Sequence, residues 1–339
     1  MRKRICEQNT KIKVIALVCN SNMFVPYVLS KILNESSCHF LVLSDVASIE
    51  EFFLHINLDN VFFYKYGPND KFDIISCKKR IMSQFYKYDI TKIIFFHAEV
   101  GELINWFLKK ISKHIPIFYC KVFDTLPYPK ANLFKAVKTK IKQYLFWGIN
   151  MDVLDLGGGV KPSLPKKFFE KIGAQEISIN IDNVLIEQSI ANLLNKLDIR
   201  ANYVLLTGTV VDCHYVSMEE YTEGVNRIIN SLNAENIISK CHPRFSSLFG
   251  KESTLKQVPS FIPGNLIINN FNVFIGYEST LLVEAAHAGK IAISLLDYFK
   301  PINLKTKNNW HSFLENRLNN HGTIYYPKNI SEIKSLLSK

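Results

Sequence analysis

The chain has 339 residues, 47% of them apolar and 21% charged, with a formal net charge of +11. This length and apolar content exclude a disordered chain and a single small core, and suit two α/β domains of roughly 150 residues each. The positive charge asks for an anionic partner: nucleic acid, a nucleotide-linked substrate or an anionic membrane surface.

No apolar run reaches the roughly 18 residues that a membrane span needs. The basic start, Met1 to Gln8, is followed by a polar stretch and shows no small-residue cleavage site, so a cytoplasmic protein without a signal peptide is expected. Seven cysteines stand singly, with no Cys-x-x-Cys pair and an odd total. That pattern argues against a disulfide framework and a zinc site and for reduced thiols.

In chain order, Lys13 to Cys19 reads as a buried strand, Val25 to Leu33 as an amphipathic helix and Phe40 to Ser44 as a second strand, which starts a βαβ layering. A strand at Val61 to Tyr64, a helix at Cys77 to Tyr88, a strand at Lys92 to Phe96, a helix at Glu102 to Ser112 and a strand at Ile115 to Lys121 continue it. Between Asp124 and Asn180 the alternation weakens: Pro127, Pro129, Pro162, Pro165 and the glycines 157 to 159 act as breakers. The predicted boundary falls here, dividing the chain into 1–160 and 161–339.

The second half is predicted to hold a helix at Val184 to Leu197, a strand at Tyr203 to Thr207, a helix at Met218 to Leu232 and a strand at Asn236 to Ser239. A strand at Val273 to Gly276, a helix at Thr280 to Ala288 stopped by Gly289, and a strand at Ile291 to Leu295 complete it. Each half is a Rossmann-like parallel α/β domain. Two such domains facing a central cleft make the GT-B architecture of many glycosyltransferases, an analogy of fold alone.

Three segments carry chemistry. In Lys240-Cys241-His242-Pro243-Arg244, a histidine emerges at the carboxyl end of a strand, where open α/β sheets bind ligands. Pro243 fixes its own φ and keeps His242 out of helical geometry. Lys240 and Arg244 flank the imidazole, so an anion there meets three potential donors, and the imidazole can protonate a leaving phosphate oxygen near neutral pH. A strand-capping His-Pro turn with solvated basic neighbours explains the same residues.

Downstream, Gly276-Tyr277-Glu278-Ser279-Thr280 joins a strand to a helix, and its hydroxyls and first-turn N–H groups suit a phosphate. An ordinary Ser/Thr N-cap is the plainer account. Asp212 follows the strand Tyr203 to Thr207 on a loop ahead of Ser217-x-x-Glu220, a capping box, and stands where a general base for an acceptor hydroxyl would, or as a solvated loop acid.

These motifs, Thr-x-x-x-x-Asp ahead of Ser-x-Glu-Glu, then Ile-Ile-Ser-Lys-Cys-His-Pro-Arg, then Gly-Tyr-Glu-Ser-Thr, resemble the bacterial sialyltransferases of glycosyltransferase family 52, the lipooligosaccharide sialyltransferase group. More distantly they resemble the bacterial polysialyltransferases. The resemblance spans about residues 200–300. It implies an inverting, metal-independent, CMP-sialic acid-dependent enzyme that modifies a bacterial surface glycan, lipooligosaccharide or capsule, and it implies a homodimer.

By that resemblance His242 is the general acid, Asp212 the general base, and Ser279 with Thr280 lies near the CMP phosphate. Lys240, Pro243, Arg244, Gly276, Tyr277 and Glu278 complete the nucleotide-sugar site. The family's acidic pair before a glycine is replaced by Val122-Phe123-Asp124-Thr125, which leaves Asp124 as an alternative base. No Asp-x-Asp occurs, so the metal-chelating device of GT-A transferases is missing and no cofactor is expected.

Two further readings of the same motifs stay open: a GT-B transferase using another nucleotide sugar, and a catalytically silent scaffold that binds a glycan. Val153-Leu154-Asp155-Leu156-Gly157-Gly158-Gly159 looks like the first motif of an S-adenosylmethionine methyltransferase, but Pro162 and Pro165 stand where the helix should begin. Leu133 to Trp147 forms a basic amphipathic helix that either lies on an anionic membrane or packs on the first domain. No motif accompanies the lysines that would argue for nucleic acid.

Overall fold

A computed structural model describes residues 12–67, 74–96, 102–120, 125–128, 133–148, 159–162, 166–207, 210–242, 248–318 and 320–338. Contacts divide the chain into two compact units, Met1–Asp182 and Asn183–Lys339.

The first unit runs β1 (Lys13–Val18), α1 (Val25–Asn34), β2 (His39–Ser44), α2 (Ala47–Ile56), β3 (Val61–Lys65), α3 (Ile74–Lys87), β4 (Asp89–Phe95), α4 (Glu102–Ile111) and β5 (Ile117–Cys120). A two-stranded antiparallel ribbon follows, β6 (Thr125–Tyr128) with β7 (Gly159–Pro162), and α5 (Leu133–Lys142) lies between its strands. α5 runs on into one turn of π-helix, Gln143–Trp147. α6 (Lys166–Lys171) and β8 (Gln175–Ile177) end the unit.

The sheet order is β3-β2-β1-β4-β5-β8, all neighbours parallel. β1 and β2 are buried at every position after their first, as strands covered on both faces must be. Because β8 pairs with β5, the boundary falls at 182/183 rather than at 160/161. The segment beyond the prolines returns to supply the sixth strand.

The second unit runs α7 (Asn183–Lys196), β9 (Tyr203–Thr207), α8 (Met218–Leu232), β10 (Ile237–Cys241), β11 (Lys256–Gln257), β12 (Val273–Gly276), α9 (Thr280–His287), β13 (Ile291–Ser294), α10 (Leu304–Leu318), β14 (Ile324–Tyr325) and α11 (Ile330–Leu337). Its sheet order, β11-β10-β9-β12-β13-β14, repeats that of the first unit, and every pairing is parallel. Both units are thus Rossmann-like, with strands ordered 3-2-1-4-5-6 within each, and their succession along the chain is the GT-B-like α/β class expected.

In each sheet the order reverses beside the first strand. In the second unit this switch point lies between β9 and β12, the place where doubly wound sheets open a crevice at their carboxyl edge. The crevice depends on a close approach: a Cβ built on Gly276 would stand 3.0 Å from Leu206 Cβ and 3.2 Å from its Cδ1. Gly276→Ala should therefore cost about 1–2 kcal/mol through forced displacement of Leu206. A urea-denaturation midpoint equal to that of the unchanged chain would show that this contact does not constrain the strands.

Candidate functional site

β10, β9 and β12 are consecutive neighbours, so the loops that leave their carboxyl ends share one edge. Asp212 follows β9, His242 follows β10 and Ser279 follows β12. The structure brings these three sequence-predicted positions to the switch point of a single sheet.

His242 is exposed, and its backbone N–H donates to the Thr207 carbonyl at 3.0 Å, which carries the β10–β9 pairing one residue past the strand. The imidazole is therefore delivered by a backbone held to the neighbouring strand. Asp212 is also exposed, on a tight turn closed by Tyr215 N–H to Val210 O at 3.0 Å and His214 N–H to Val211 O at 2.9 Å. His214 takes a left-handed φ of 55° there, and the buried side chains of Val210 and Val216 anchor the turn at either end.

α8 begins as the capping pattern predicts: Ser217 Oγ accepts the Glu220 N–H at 3.2 Å. The reciprocal half of the box is not made. Glu220 Oε1 instead accepts the Lys300 N–H at 3.2 Å, tying the start of α8 to the segment after β13.

Ser279 is the N-cap of α9, its Oγ accepting the Leu281 N–H at 3.2 Å. The N-cap account of this motif is thus realised. It leaves Thr280, exposed at the first helical position, as the hydroxyl that faces solvent at the helix N-terminus. α9 closes at Gly289, whose φ of +71° is left-handed.

Several proposed ligand contacts lie beneath the edge rather than on it. Lys240 is only 5% exposed, and its Nζ donates to the Pro259 carbonyl at 3.2 Å. Burial pulls its ammonium down to about 8. As a member of β10 it presents its side chain to a face of the sheet, not to the crevice, and this departs from the flanking role the sequence suggests. Gly276 serves the close approach of β12 to β9.

Tyr277 is buried, its ring stacked 6.1 Å from Tyr215 at 17° and 6.3 Å from Phe299, and Ser294 Oγ donates to its carbonyl at 2.8 Å. Burial, reinforced by the charge of Glu278, pushes its phenol well above the usual range. Glu278 is itself buried; burial raises Tyr215 and Tyr221, and the charge of Glu278 adds to it. Tyr221 Oη in turn donates to the fully buried Glu252, whose second oxygen accepts the Phe249 N–H at 3.1 Å.

This layer of Tyr215, Tyr221, Tyr277, Phe299, Glu252 and Glu278 is absent from the sequence reading. One signal for it existed: Gly224 in mid-helix, where an added Cβ would stand 2.3 Å from the Phe299 ring. Cys241 Sγ receives the Thr207 hydroxyl at 3.4 Å. Pro243, Arg244 and Asp124 lie outside the described residues. Among the described residues no group of three or more His, Cys, Asp or Glu side chains comes together where a metal ion could be held.

No protein-family model matches the chain, and no curated protein matches it. Among solved structures it is similar to the UDP-GlcNAc 2-epimerase of Methanocaldococcus jannaschii, 12% identical over 96% of this chain and 99% of that one, with a TM-score of 0.42. It is similar to the heptosyltransferase WaaC of E. coli with ADP, 11% identical over 91% and 99%, TM-score 0.40. It is also similar to MurG of Acinetobacter baumannii, 12% identical over 96% and 89%, TM-score 0.39. At these scores the fold rests on the strand order of the two sheets.

Lys240 yields a test with a definite sign. Between pH 8 and the ordinary lysine range the unfolded chain holds a proton that the folded chain has released, so stability rises with pH across that window. Below pH 8 both states are charged and the full burial penalty remains. Lys240→Met should remove that rise and leave the fold as stable or more so at neutral pH, by roughly 1–3 kcal/mol. Denaturation midpoints measured from pH 7 to 10 check it, and a large loss of stability at pH 7 would refute it.

Proposed function

We propose that the chain is a glycosyltransferase, an inverting and metal-independent sialyltransferase that transfers sialic acid from CMP-sialic acid to a bacterial surface glycan, lipooligosaccharide or capsule, on the cytoplasmic side. The observation that carries the reading is the convergence of Asp212, His242 and the N-terminus of α9 on the carboxyl edge of β10, β9 and β12.

The scale suits a nucleotide phosphate. Neighbouring strands lie about 4.8 Å apart, so β10 and β12 are separated by about 10 Å with β9 between them. A phosphate held over β9 would lie between the imidazole of His242 on one side and the Thr280 hydroxyl and first-turn N–H groups of α9 on the other. In the sequence Arg244 follows His242 by two residues.

In the proposed step Asp212 takes the proton of the acceptor hydroxyl, and the hydroxyl oxygen bonds to the anomeric carbon of the sugar from the face opposite CMP. The bond from that carbon to the phosphate oxygen breaks with oxocarbenium-like charge. The electron pair leaves with CMP, and His242 gives its proton to the departing phosphate. Both groups are exposed, and their backbones are fixed by sheet and turn hydrogen bonds. Asp124 is the alternative base.

The decisive measurement is CMP release from CMP-sialic acid in the presence of galactose-terminated acceptors. Release expected from this donor but found only from another nucleotide sugar would overturn the sialyl assignment and keep the transferase. His242→Ala should lower kcat by about 10²–10⁴ with the chain still folded, because the backbone bond to Thr207 is kept. Full activity in that variant would leave the chain a glycan-binding scaffold. Asp212→Asn should fall by a comparable factor, and an intact rate would move the base to Asp124.

A further inference from the structure

α5 and the π-turn after it carry an amphipathic pattern in the opposite sense from a packed helix. At about 100° per residue, Leu133, Phe134, Val137 and Ile141 fall within an arc of roughly 100°, and all four are exposed, from 48% for Val137 to 80% for Phe134. Tyr144, Leu145 and Phe146 continue the surface through the π-turn, each more than half exposed. The side turned inward is marked by Gln143, 4% exposed, and Trp147, 8% exposed. A helix that buries a glutamine and shows its leucines and phenylalanines to solvent has an unmet apolar face, and a patch of this extent marks an interaction surface.

The segment is held in that attitude by specific contacts. Lys78 Nζ from α3 donates to the Phe146 carbonyl at 2.7 Å, and it lies 5.0 Å above the Trp106 ring and 5.1 Å above that of Trp147. Lys109 Nζ from α4 donates to the Gly148 carbonyl at 2.5 Å. Lys142 pairs with Glu102 at 2.8 Å. Cations thus close the carbonyl end of the helix, where its dipole favours them, and Trp147 roots it in the core of the unit.

The chemistry of the rim identifies the occupant. On the helical wheel Lys138 and Lys140 border the apolar arc on its two sides, and both are exposed. A second copy of this chain meeting the first through the same face would bring these lysines against each other, in a protein that already carries +11. An anionic bilayer meets both demands at once, taking the apolar side chains below its headgroups and the lysines among them. Among the described residues no helix is long and apolar enough to cross a membrane, so the contact is one of surface insertion.

We propose that α5 and its π-turn are the surface by which this protein docks on a membrane of anionic lipid, lying in the plane of the interface with the arc from Leu133 to Leu145 inserted. This docking stands apart from the sugar-transfer reading, since its readout needs no substrate. Binding of the full chain to vesicles of phosphatidylcholine with phosphatidylserine is compared with binding to phosphatidylcholine alone, by co-sedimentation, at low and raised salt.

The unchanged chain should bind the mixed vesicles at least about tenfold more tightly than the neutral ones, and added salt should weaken it. Phe134→Ser with Leu145→Ser, and separately Lys138→Glu with Lys140→Glu, should each lose about tenfold or more of that binding. Thermal unfolding of the serine variant should not move, because Phe134 and Leu145 are exposed. Absence of vesicle binding, equal binding to both vesicle types, or full binding by either double variant would overturn the proposal. A dimer in sedimentation velocity that the serine variant alone converts to monomer, with vesicle binding unchanged, would assign the face to a second copy instead.

Discussion

The parallel pairing of β9 with β10 on one side and β12 on the other is the constraint from which the second unit's candidate site follows. Once the order reverses at β9, the connections leaving β9 and β12 cannot both pass to the same face of the sheet, and a gap is left at the carboxyl edge between them. Three loops of different chemistry then share that edge: an acid on a closed turn, a histidine at the end of a strand, and a helix N-terminus. The Leu206 side chain against Gly276 sets how near β12 comes to β9, and the His242 N–H on the Thr207 carbonyl extends the pairing under the imidazole.

The strands and helices around this edge were legible because their signals are local. β9 and α8 have the bounds their apolar run and Ser217 cap announce, and α9 starts at its serine and stops at Gly289. Where such signals are missing the sequence is silent. α2 begins after Val46, which makes no side-chain capping bond, and β11 and β14 have two residues each. β8, polar and largely exposed, gives no apolar run to recognise, yet its pairing with β5 decides where the first unit ends.

The candidate site was legible in position and less so in orientation. The order of motifs placed Asp212, His242 and Ser279 on strand exits, and the sheet confirms those exits. What could not be read was which side chains turn inward. A lysine two residues before a histidine looks like a second cation for a phosphate, but period-two alternation along β10 sends it to a sheet face. There the carbonyl of Pro259, 19 residues later in sequence, is its acceptor. Likewise Tyr277 reads as a ligand contact beside Ser279 until Tyr215, Phe299 and the carbonyl bond from Ser294 show it to be packing.

This division between an exposed edge and a buried ionisable layer has an electrostatic consequence. Burial pushes Tyr221 and Tyr277 upward, so at neutral pH both are neutral, Tyr221 as a donor to Glu252 and Tyr277 as packing. Glu252 is likewise raised by burial and is satisfied by the Tyr221 hydroxyl and the Phe249 N–H. The exposed groups at the edge itself are then Asp212, His242 and the N-terminal turn of α9. Buried groups fix the shape of that edge through hydrogen bonds and stacked rings, and the few exposed ones are left to set its charge.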